Sequence, residues 1–200
     1  MGSTSAGEVL CLEFANTSDH PPVAADDQLR DYTGLVAWAK RRALLPRTEA
    51  SELLAAARAR PEDAAAAHRR ALELREVIYR LFSATARGEA PGEEDLAAVN
   101  RVLAATRLRL RASAGASPCC GLEWTGEGDV LDRILWPVVR SAADLLTSQE
   151  VARVRECDSE TCSWLFVDRS RGGRRRWCDM RTCGNRAKAR RYYRRHRGTG

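Results

Sequence analysis

The chain has 200 residues, of which 44% are hydrophobic and 6% aromatic, so it can form one or two globular domains built mainly of helices. No apolar run approaches the roughly 18 residues that cross a bilayer, and no secretory signal is visible, so we expect a cytoplasmic protein with reduced thiols and no membrane partner. The formal net charge of +6 is unevenly divided. Residues 153–200 carry 15 Lys/Arg against 5 Asp/Glu, whereas residues 1–152 carry 18 against 22.

Residues 31–106 carry apolar side chains at helical spacing and predict four helices. Asp31 and Thr48 are expected to act as N-caps, because their side-chain oxygens can accept a free backbone N–H. The predicted helices run from Asp31 to about Pro46, from Thr48 to before Pro61, along a long segment that Gly88 ends, and from Glu93 to Thr106.

The second part of the acidic body predicts a hairpin and a final helix. Leucines and arginines alternate over residues 108–111, which predicts a half-buried strand with a partner around residues 122–124. Asp129 is expected to open the last body helix, and Pro137 to kink it. Residues 147–153 form the expected linker, which contains no Gly/Ser tract and should keep the basic segment close to the body.

Four cysteines in the basic segment are spaced as metal ligands. Four residues separate Cys157 from Cys162 and Cys178 from Cys183, and fifteen residues separate the two pairs. Four thiolates hold Zn²⁺ tetrahedrally and leave no position for a reacting water, so the sequence predicts a structural zinc site. The alternative is four structural cysteines, reduced or disulfide-linked. The remaining cysteines fall outside this spacing and are expected to be small buried residues: Cys11, Cys119 and Cys120.

The residues around these cysteines predict a treble-clef-like order of knuckle, hairpin, knuckle and helix. Residues 164–167 and 174–177 would be the two strands of the hairpin, joined by a turn at residues 172–173. A stretch without helix breakers over residues 185–196 would be the helix.

Arginine dominates the charge of this segment, with twelve Arg and one Lys between residues 169 and 197. Guanidinium groups bind phosphate oxygens in pairs, and a rigid scaffold that presents them is typical of nucleic-acid-binding proteins. Arg186, Arg190 and Arg194 recur every four residues and predict one stripe on the helix. The candidate nucleic-acid-binding residues are Arg169, Arg171, Arg174, Arg175, Arg176, Lys188, Arg190, Arg191 and Arg194.

Two other uses of the basic segment stay open. It could dock on an acidic partner protein. It could also bind RNA, with Tyr192 or Tyr193 stacked on unpaired bases, although we favour packing of at least one of these rings on Trp164 or Phe166.

The string CGNR at residues 183–186, preceded by WLFVDRSRGGRRRWCDMRTC and followed by AKARRYYRR, resembles the CGNR zinc-finger family of bacterial transcription regulators. The strings LCLEFANT, DYTGLVAWA and RSAADLL resemble the companion ABATE domain of stress-induced regulators. Together the two resemblances cover nearly the whole chain; Gly172 departs from the expected Asn, and both suit a turn. The resemblance implies DNA binding, the four cysteines as ligands, and a signature formed by Gly184, Asn185 and Arg186.

Physical roles can be assigned to the signature. Gly184 would give the ligand turn backbone freedom, including positive φ, and Asn185 would cap the helix by accepting a backbone N–H. Arg186 opposes the helix dipole and needs an anionic partner, for which we favour the zinc–thiolate cluster. Arg190 and Arg194 would then be free to contact phosphates.

The sequence shows no Gly-rich phosphate loop, nucleophile elbow or zinc-protease helix, so we do not expect an enzyme. Asn16 and Thr17 combine an amide and a hydroxyl with apolar neighbours and are candidates for the pocket of a small-molecule effector. Capping of a loop by the same pair is the favoured alternative.

These patterns predict a mainly α protein with a small β-hairpin: a helical domain over residues 1–152 and a treble-clef-like zinc finger over residues 153–200. The expected function is binding of double-stranded DNA in transcriptional control, with the helical domain as a sensor or oligomerisation module. A homodimer would suit palindromic sites, but no heptad seam predicts one.

Overall fold

The computed structural model describes residues 9–19, 27–106, 108–112, 120–124 and 130–197. Its helices are α1 (Leu10–Ala15), α2 (Tyr32–Arg41), α3 (Arg47–Ala59), α4 (Pro61–Ala86), α5 (Glu93–Ala105), α6 (Leu135–Leu146) and α7 (Asn185–Arg197). Its strands are β1 (Leu108–Ala112), β2 (Cys120–Trp124), β3 (Val154–Glu156) and β4 (Leu165–Val167). Short 3₁₀ segments cover Val130–Asp132 and Gln149–Arg153, and a π-helical turn covers Met180–Gly184. The predicted fold class is confirmed.

Several local predictions hold in detail. The Asp31 carboxylate caps α2 by accepting the Gly34 N–H at 2.7 Å. Gly88, with φ +76°, follows the end of α4, where a residue with a Cβ would be strained. Strands β1 and β2 form the predicted antiparallel hairpin, with Leu110 opposite Leu122.

Other predicted boundaries are wrong. Helix α2 ends at Arg41 rather than near Pro46, and the positive φ of Ala43 takes the chain out of the helix. Thr48 lies inside α3, whose first residue follows Pro46 directly. Pro137 lies in the first turn of α6, where its missing N–H has no helical partner to lose, so no kink is needed. Asp129 lies outside the described residues.

The body packs around α4, whose 26 residues span about 39 Å and contact α1, α2, α3 and α5. Helix α1 lies against α4 and α6, and α5 contacts the same two helices. The Phe14 ring meets the Trp38 ring edge-on, with centroids 5.1 Å apart. The centre of the body is therefore a single apolar core.

A buried ion pair ties α4 to the loop after α1. The side chain of Arg75 is 3% exposed and donates to both carboxylate oxygens of Asp27, at 2.7 and 2.9 Å. Burial acts to raise the pKa of Asp27, but the bonds from Arg75 and from the Leu29 N–H outweigh it and hold the pKa below its ordinary value. Removing Asp27 would leave the buried Arg75 guanidinium with a longer carboxylate contact, of 3.4 Å to Glu76, to compensate its charge.

The second hairpin differs from the predicted one. Strand β4 pairs with β3, in the register Val154 to Val167 and Glu156 to Leu165, and not with residues 174–177. Residues 174–177 are not a strand, and the segment between β4 and the second knuckle is a loop. The predicted linker, residues 147–153, holds a 3₁₀ turn that leads directly into β3. The observed hairpin thus encloses the first cysteine knuckle.

The two faces of strand β4 pack against different parts of the protein, because side chains alternate along a strand. Leu165 and Val167 belong to the core of the helical body, together with Val154 of β3. Phe166 points the other way and packs with Cys157 and Cys183. One three-residue strand therefore belongs to both the body and the cysteine cluster.

Side chains of the body fix this strand pair by hydrogen bonds. The Asn16 amide donates to the Leu165 carbonyl at 2.8 Å and accepts the Leu165 N–H at 2.9 Å, in the manner of an added strand. The Glu156 carboxylate accepts hydroxyl bonds from Tyr79 at 3.1 Å and Ser83 at 2.8 Å, both on α4. The hairpin is held at both edges of its contact with the body.

We predict that Asn16→Ala weakens the contact between the body and the β3–β4 hairpin. It leaves two backbone groups of Leu165 without their partners, which should cost about 1–3 kcal/mol in the free energy of unfolding. Urea denaturation measures this. Asn100→Ala, at an exposed position of α5, is the matched control and should change the value by less than about 0.5 kcal/mol. Equal stability of the two variants would contradict the role of Asn16.

Candidate metal centre and cationic surface

The four predicted cysteine ligands converge on one point. Their sulfur atoms all lie within 4.8 Å of one another, with 3.6 Å between Cys162 and Cys178 and 3.7 Å between Cys178 and Cys183. Four sulfurs around a tetrahedral zinc ion at a Zn–S distance of 2.3 Å are about 3.8 Å apart, whereas a disulfide requires about 2.05 Å. The observed spacing fits the ion and excludes disulfides between these pairs.

The first knuckle is shaped by its backbone. The Cys157 N–H donates to the Trp164 carbonyl and the Cys162 N–H to the Ser159 carbonyl, both at 2.9 Å. The Asp158 N–H donates to the Arg176 carbonyl at 2.9 Å, which ties the loop after β4 to this knuckle. These bonds fold six residues tightly enough to turn both sulfurs toward one point.

The second knuckle depends on Asp179, which the sequence analysis did not single out. Its carboxylate accepts the N–H groups of Arg181 and Thr182 and opens the π-helical turn that carries Cys183. An Asp one residue after a ligand cysteine is the available sequence signal, since Asp is a preferred capping residue.

The cluster also contains the contacts that stabilise thiolates. The backbone N–H of Cys178 points at the Cys157 sulfur at 3.4 Å. The pKa of Cys162 falls to about 6, chiefly because the Cys178 thiol donates to its sulfur, while burial raises the pKa of Cys157. The same bond to Cys162 raises the pKa of Cys178. Zinc needs deprotonated sulfurs, so the positive charge of the ion would have to stabilise the thiolates of Cys157 and Cys178.

Two known protein families match this chain, one over the body and one over the finger. Residues 8–149 match the ABATE family, described as "Putative stress-induced transcription regulator". The chain belongs to the ABATE family. Residues 153–196 match the CGNR zinc finger. No curated protein sequence matches the chain.

The cofactor of the CGNR finger is zinc, and the four clustered cysteines form its site. When bound, the ion cross-links the two knuckles and supplies no open coordination position for chemistry.

Both matched families are of the regulator and zinc-finger types rather than enzyme families. Within the described ranges, no other group of three or more His, Cys, Asp or Glu side chains is placed to hold a metal. None of the described helices is long and apolar enough to cross a membrane.

The CGNR signature residues have different roles from those expected. Gly184 does not have a positive φ, and a Cβ there would overlap only the sulfur end of the exposed Met180 side chain, which would have to move. Asn185 does not accept a capping bond: its amide donates to the Arg181 carbonyl at 3.0 Å. Arg186 donates to the Thr161 hydroxyl at 2.9 Å, on the first knuckle, rather than to a cysteine sulfur.

Five arginines that follow β4 have partners within the described part of the chain. Arg169 makes two bonds to Glu150, at 2.7 and 2.9 Å, and Arg176 binds Asp158 at 2.7 Å. Arg175 lies over the Phe166 ring, with 4.7 Å to the centroid, and donates to the carbonyls of Trp177 and Cys178. The remaining two are Arg186 and Arg190, which reach the first knuckle. We call these five the paired arginines.

Other cations of the finger are exposed and have no such partner in the part of the chain that the structure describes. They are Arg171, Arg174, Arg181, Lys188 and Arg191, which we call the free cations. The sequence pattern cannot separate the two groups, because four of the five paired arginines have partners 18 to 30 residues away along the chain.

The tyrosines of α7 do not pack on the finger as favoured. Tyr192 is 59% exposed and stacks on His196, with ring centroids 4.0 Å apart, and Tyr193 is 65% exposed. Of the other candidate residues, Arg194 lies in α7, and only its place along the helix is described.

A single buried carboxylate organises the arginine-rich loop after β4. Asp168 is 1% exposed and accepts the N–H groups of Ser170 and Arg175, both at 2.9 Å. Burial acts to raise its pKa, but these bonds outweigh that and lower it. Gly173, with φ +59°, completes the turn. Asp168 therefore holds both ends of the segment that carries the free cations Arg171 and Arg174.

Asn16 and Thr17 have structural roles that fit the capping alternative. Asn16 uses its amide on Leu165, and the Thr17 hydroxyl donates to the Phe14 carbonyl at 2.7 Å. A cleft of about 740 Å³ nevertheless separates α1 and α2 from the finger, and its lining includes Asn16, Trp164 and Arg186 but not Thr17.

We predict that Cys178→Ser abolishes stoichiometric zinc binding and unfolds residues 168–197. Zinc contributes about 10–16 kcal/mol in comparable finger peptides. Hydrogen exchange should quicken along α7, yet β3 and β4 should stay protected because Val154, Leu165 and Val167 lie in the body core. Cys11→Ala, at a buried cysteine outside the cluster, should retain one zinc per chain. Zinc retention and a protected α7 in Cys178→Ser would contradict the assignment.

We predict that Asp168→Ala loosens the arginine-rich loop. Two N–H groups lose their acceptor, so the unfolding free energy should fall by about 1–3 kcal/mol, and amide exchange at Ser170 and Arg175 should accelerate. Asp158→Ala removes an exposed carboxylate paired with Arg176 and should cost less than about 1 kcal/mol. Similar losses in both variants would show that Asp168 has no special role.

Proposed function

We propose that this ABATE-family chain binds double-stranded DNA through its CGNR finger and acts in transcriptional control. The observation that carries the proposal is the set of five free cations on a scaffold that zinc cross-links. Their arrangement is costly for a solvated surface, since like charges repel, and a polyanion would relieve that repulsion. DNA supplies phosphates at the density that such a surface can neutralise.

The division between paired and free cations assigns roles within the candidate set. Arg171 and Arg174 of the loop would contact phosphates. Arg175 and Arg176 hold the loop to the knuckles, and Arg169 holds it to Glu150. Exposed ion pairs are worth only about 0–1 kcal/mol, so phosphates could still displace the acidic partner of Arg169, Arg176 or Arg190.

The two units proposed from the sequence have separate tasks in this scheme. Residues 153–200 would form the DNA-binding finger and residues 1–152 the sensing or oligomerising body, in the cytoplasm and without a catalytic role. A small-molecule effector would bind where it can contact both units, and the cleft between α1, α2 and the finger offers that place. A second copy of the chain would match a palindromic site.

We predict zinc-dependent binding of duplex DNA that weakens steeply with salt. Each phosphate contact contributes about −0.9 to the slope of log affinity against log salt, so the five free cations give a slope no steeper than roughly −4.5. Fluorescence anisotropy with genomic duplex fragments, on the zinc-loaded and the chelator-treated protein, measures this. The double variant Arg171→Ala/Arg174→Ala should make the slope shallower by about 2.

The matched control removes the same charge from the body. Arg58 and Arg101 are exposed on α3 and α5, and their double alanine variant should leave the slope unchanged within about 0.5. Equal effects of the two double variants would mean that only net charge matters. Absence of zinc-dependent binding would refute the proposal. Tighter binding of single-stranded RNA would favour RNA, and binding only to acidic polypeptides would favour protein docking.

A further inference from the structure

Helix α7 is a projecting element with one anchored face. It starts two residues after Cys183, spans about 20 Å, and packs mainly on the π-helical turn before it. Arg186 donates to Thr161 at 2.9 Å, and Arg190 donates to Glu160 at 2.7 Å and Thr161 at 3.2 Å. The two arginines are one turn apart, so the first knuckle holds the same side of the helix twice.

This anchoring separates Arg190 from Lys188 and Arg191, which were all expected to bind nucleic acid. Arg190, the residue of the stripe one turn after Arg186, was expected to contact phosphate. The side chains of Arg186 and Arg190 instead bind residues 160–161 of the finger itself. At 100° per residue, Lys188 lies roughly 180° around the helix from the middle of this anchored side, and Arg191 roughly 120°. Both are exposed free cations.

The unanchored face is built for contact with an anion. Residues 185–197 contain no Asp or Glu, so no carboxylate of the helix itself repels a polyanion. Tyr192, 59% exposed, adds an aromatic ring on the same side, roughly 40° around the helix from Lys188. We call Lys188, Arg191 and Tyr192 the outer face.

The diameter of the helix matches the major groove of the duplex and not the minor groove. An α-helix with its side chains is about 10–12 Å across, which fits a major groove of about 12 Å and not a minor groove of about 6 Å. In the major groove, Lys and Arg side chains donate to the N7 and O6 atoms of guanine, the most common specific contact in such complexes.

We propose that the outer face of α7 enters the DNA major groove, where Lys188 and Arg191 recognise guanine. The proposal rests on the DNA binding proposed above and adds which face and which base are involved. Arg186 and Arg190 are positioning residues, because they fix the direction in which the outer face points. The loop cations Arg171 and Arg174 supply phosphate contacts that do not depend on sequence.

Methylation interference tests the assignment on the full zinc-loaded chain. Genomic duplexes retained by the protein are treated with dimethyl sulfate, which methylates guanine N7 in the major groove and adenine N3 in the minor groove. We expect modified guanines at a few positions to block binding. Lys188→Ala and Arg191→Ala should each abolish interference at particular guanines and weaken binding of the selected duplex about 5- to 150-fold.

Arg171→Ala is the matched control from the loop. It should weaken binding to selected and unselected duplexes by the same factor and leave the interference pattern unchanged. Each variant should still hold one zinc per chain, which confirms a folded finger. Interference at adenine N3 alone, no guanine interference, or an unchanged guanine pattern in both outer-face variants would overturn the groove assignment while duplex binding stands. Loss of all zinc-dependent duplex binding in the unaltered chain would refute the proposed function instead.

Discussion

The arrangement of this protein depends on the alternation of side chains along β4. Leu165 and Val167 are part of the apolar core of the body, and Phe166 between them packs on two of the zinc-site cysteines. A strand must place successive side chains on opposite faces, so three residues connect two cores. Asn16 pairs with the free edge of the same strand and fixes its position along the body. The orientation of every residue that follows, from the loop to α7, starts from this strand.

Arginine serves two different purposes on the finger, and the oxygen atoms within its reach decide which. Glu150, Asp158 and Glu160 each accept from one arginine and thereby fix the loop or the helix in place. Carbonyl and hydroxyl oxygens hold Arg175 and Arg186 in the same way, and the free cations stay available for a partner. A guanidinium suits both tasks because its planar set of donors binds a carboxylate and a phosphate in the same way. The few acidic residues of a basic finger therefore shape its binding surface.

The zinc site and the helical class were predictable from sequence, because ligand spacing and apolar periodicity are local properties. The pairing of β4 was not, since a glycine pair downstream favours a hairpin and the signal of β3 is only three residues long. The role of Arg186 depends on Thr161, a contact that exists only once the knuckles have folded. Asn16 was noticed for its polarity, yet its partner lies 149 residues away.

The shared strand also bears on how such a finger can spread between proteins. Cut from the body at residue 153, the finger would expose the apolar side chains of Val154, Leu165 and Val167 to water. Its own core holds little beyond the cysteines and Phe166, so the metal alone would have to keep it folded and soluble. A finger of this kind is not a portable module, and a new host would need a matching apolar groove and an amide to meet its strand edge.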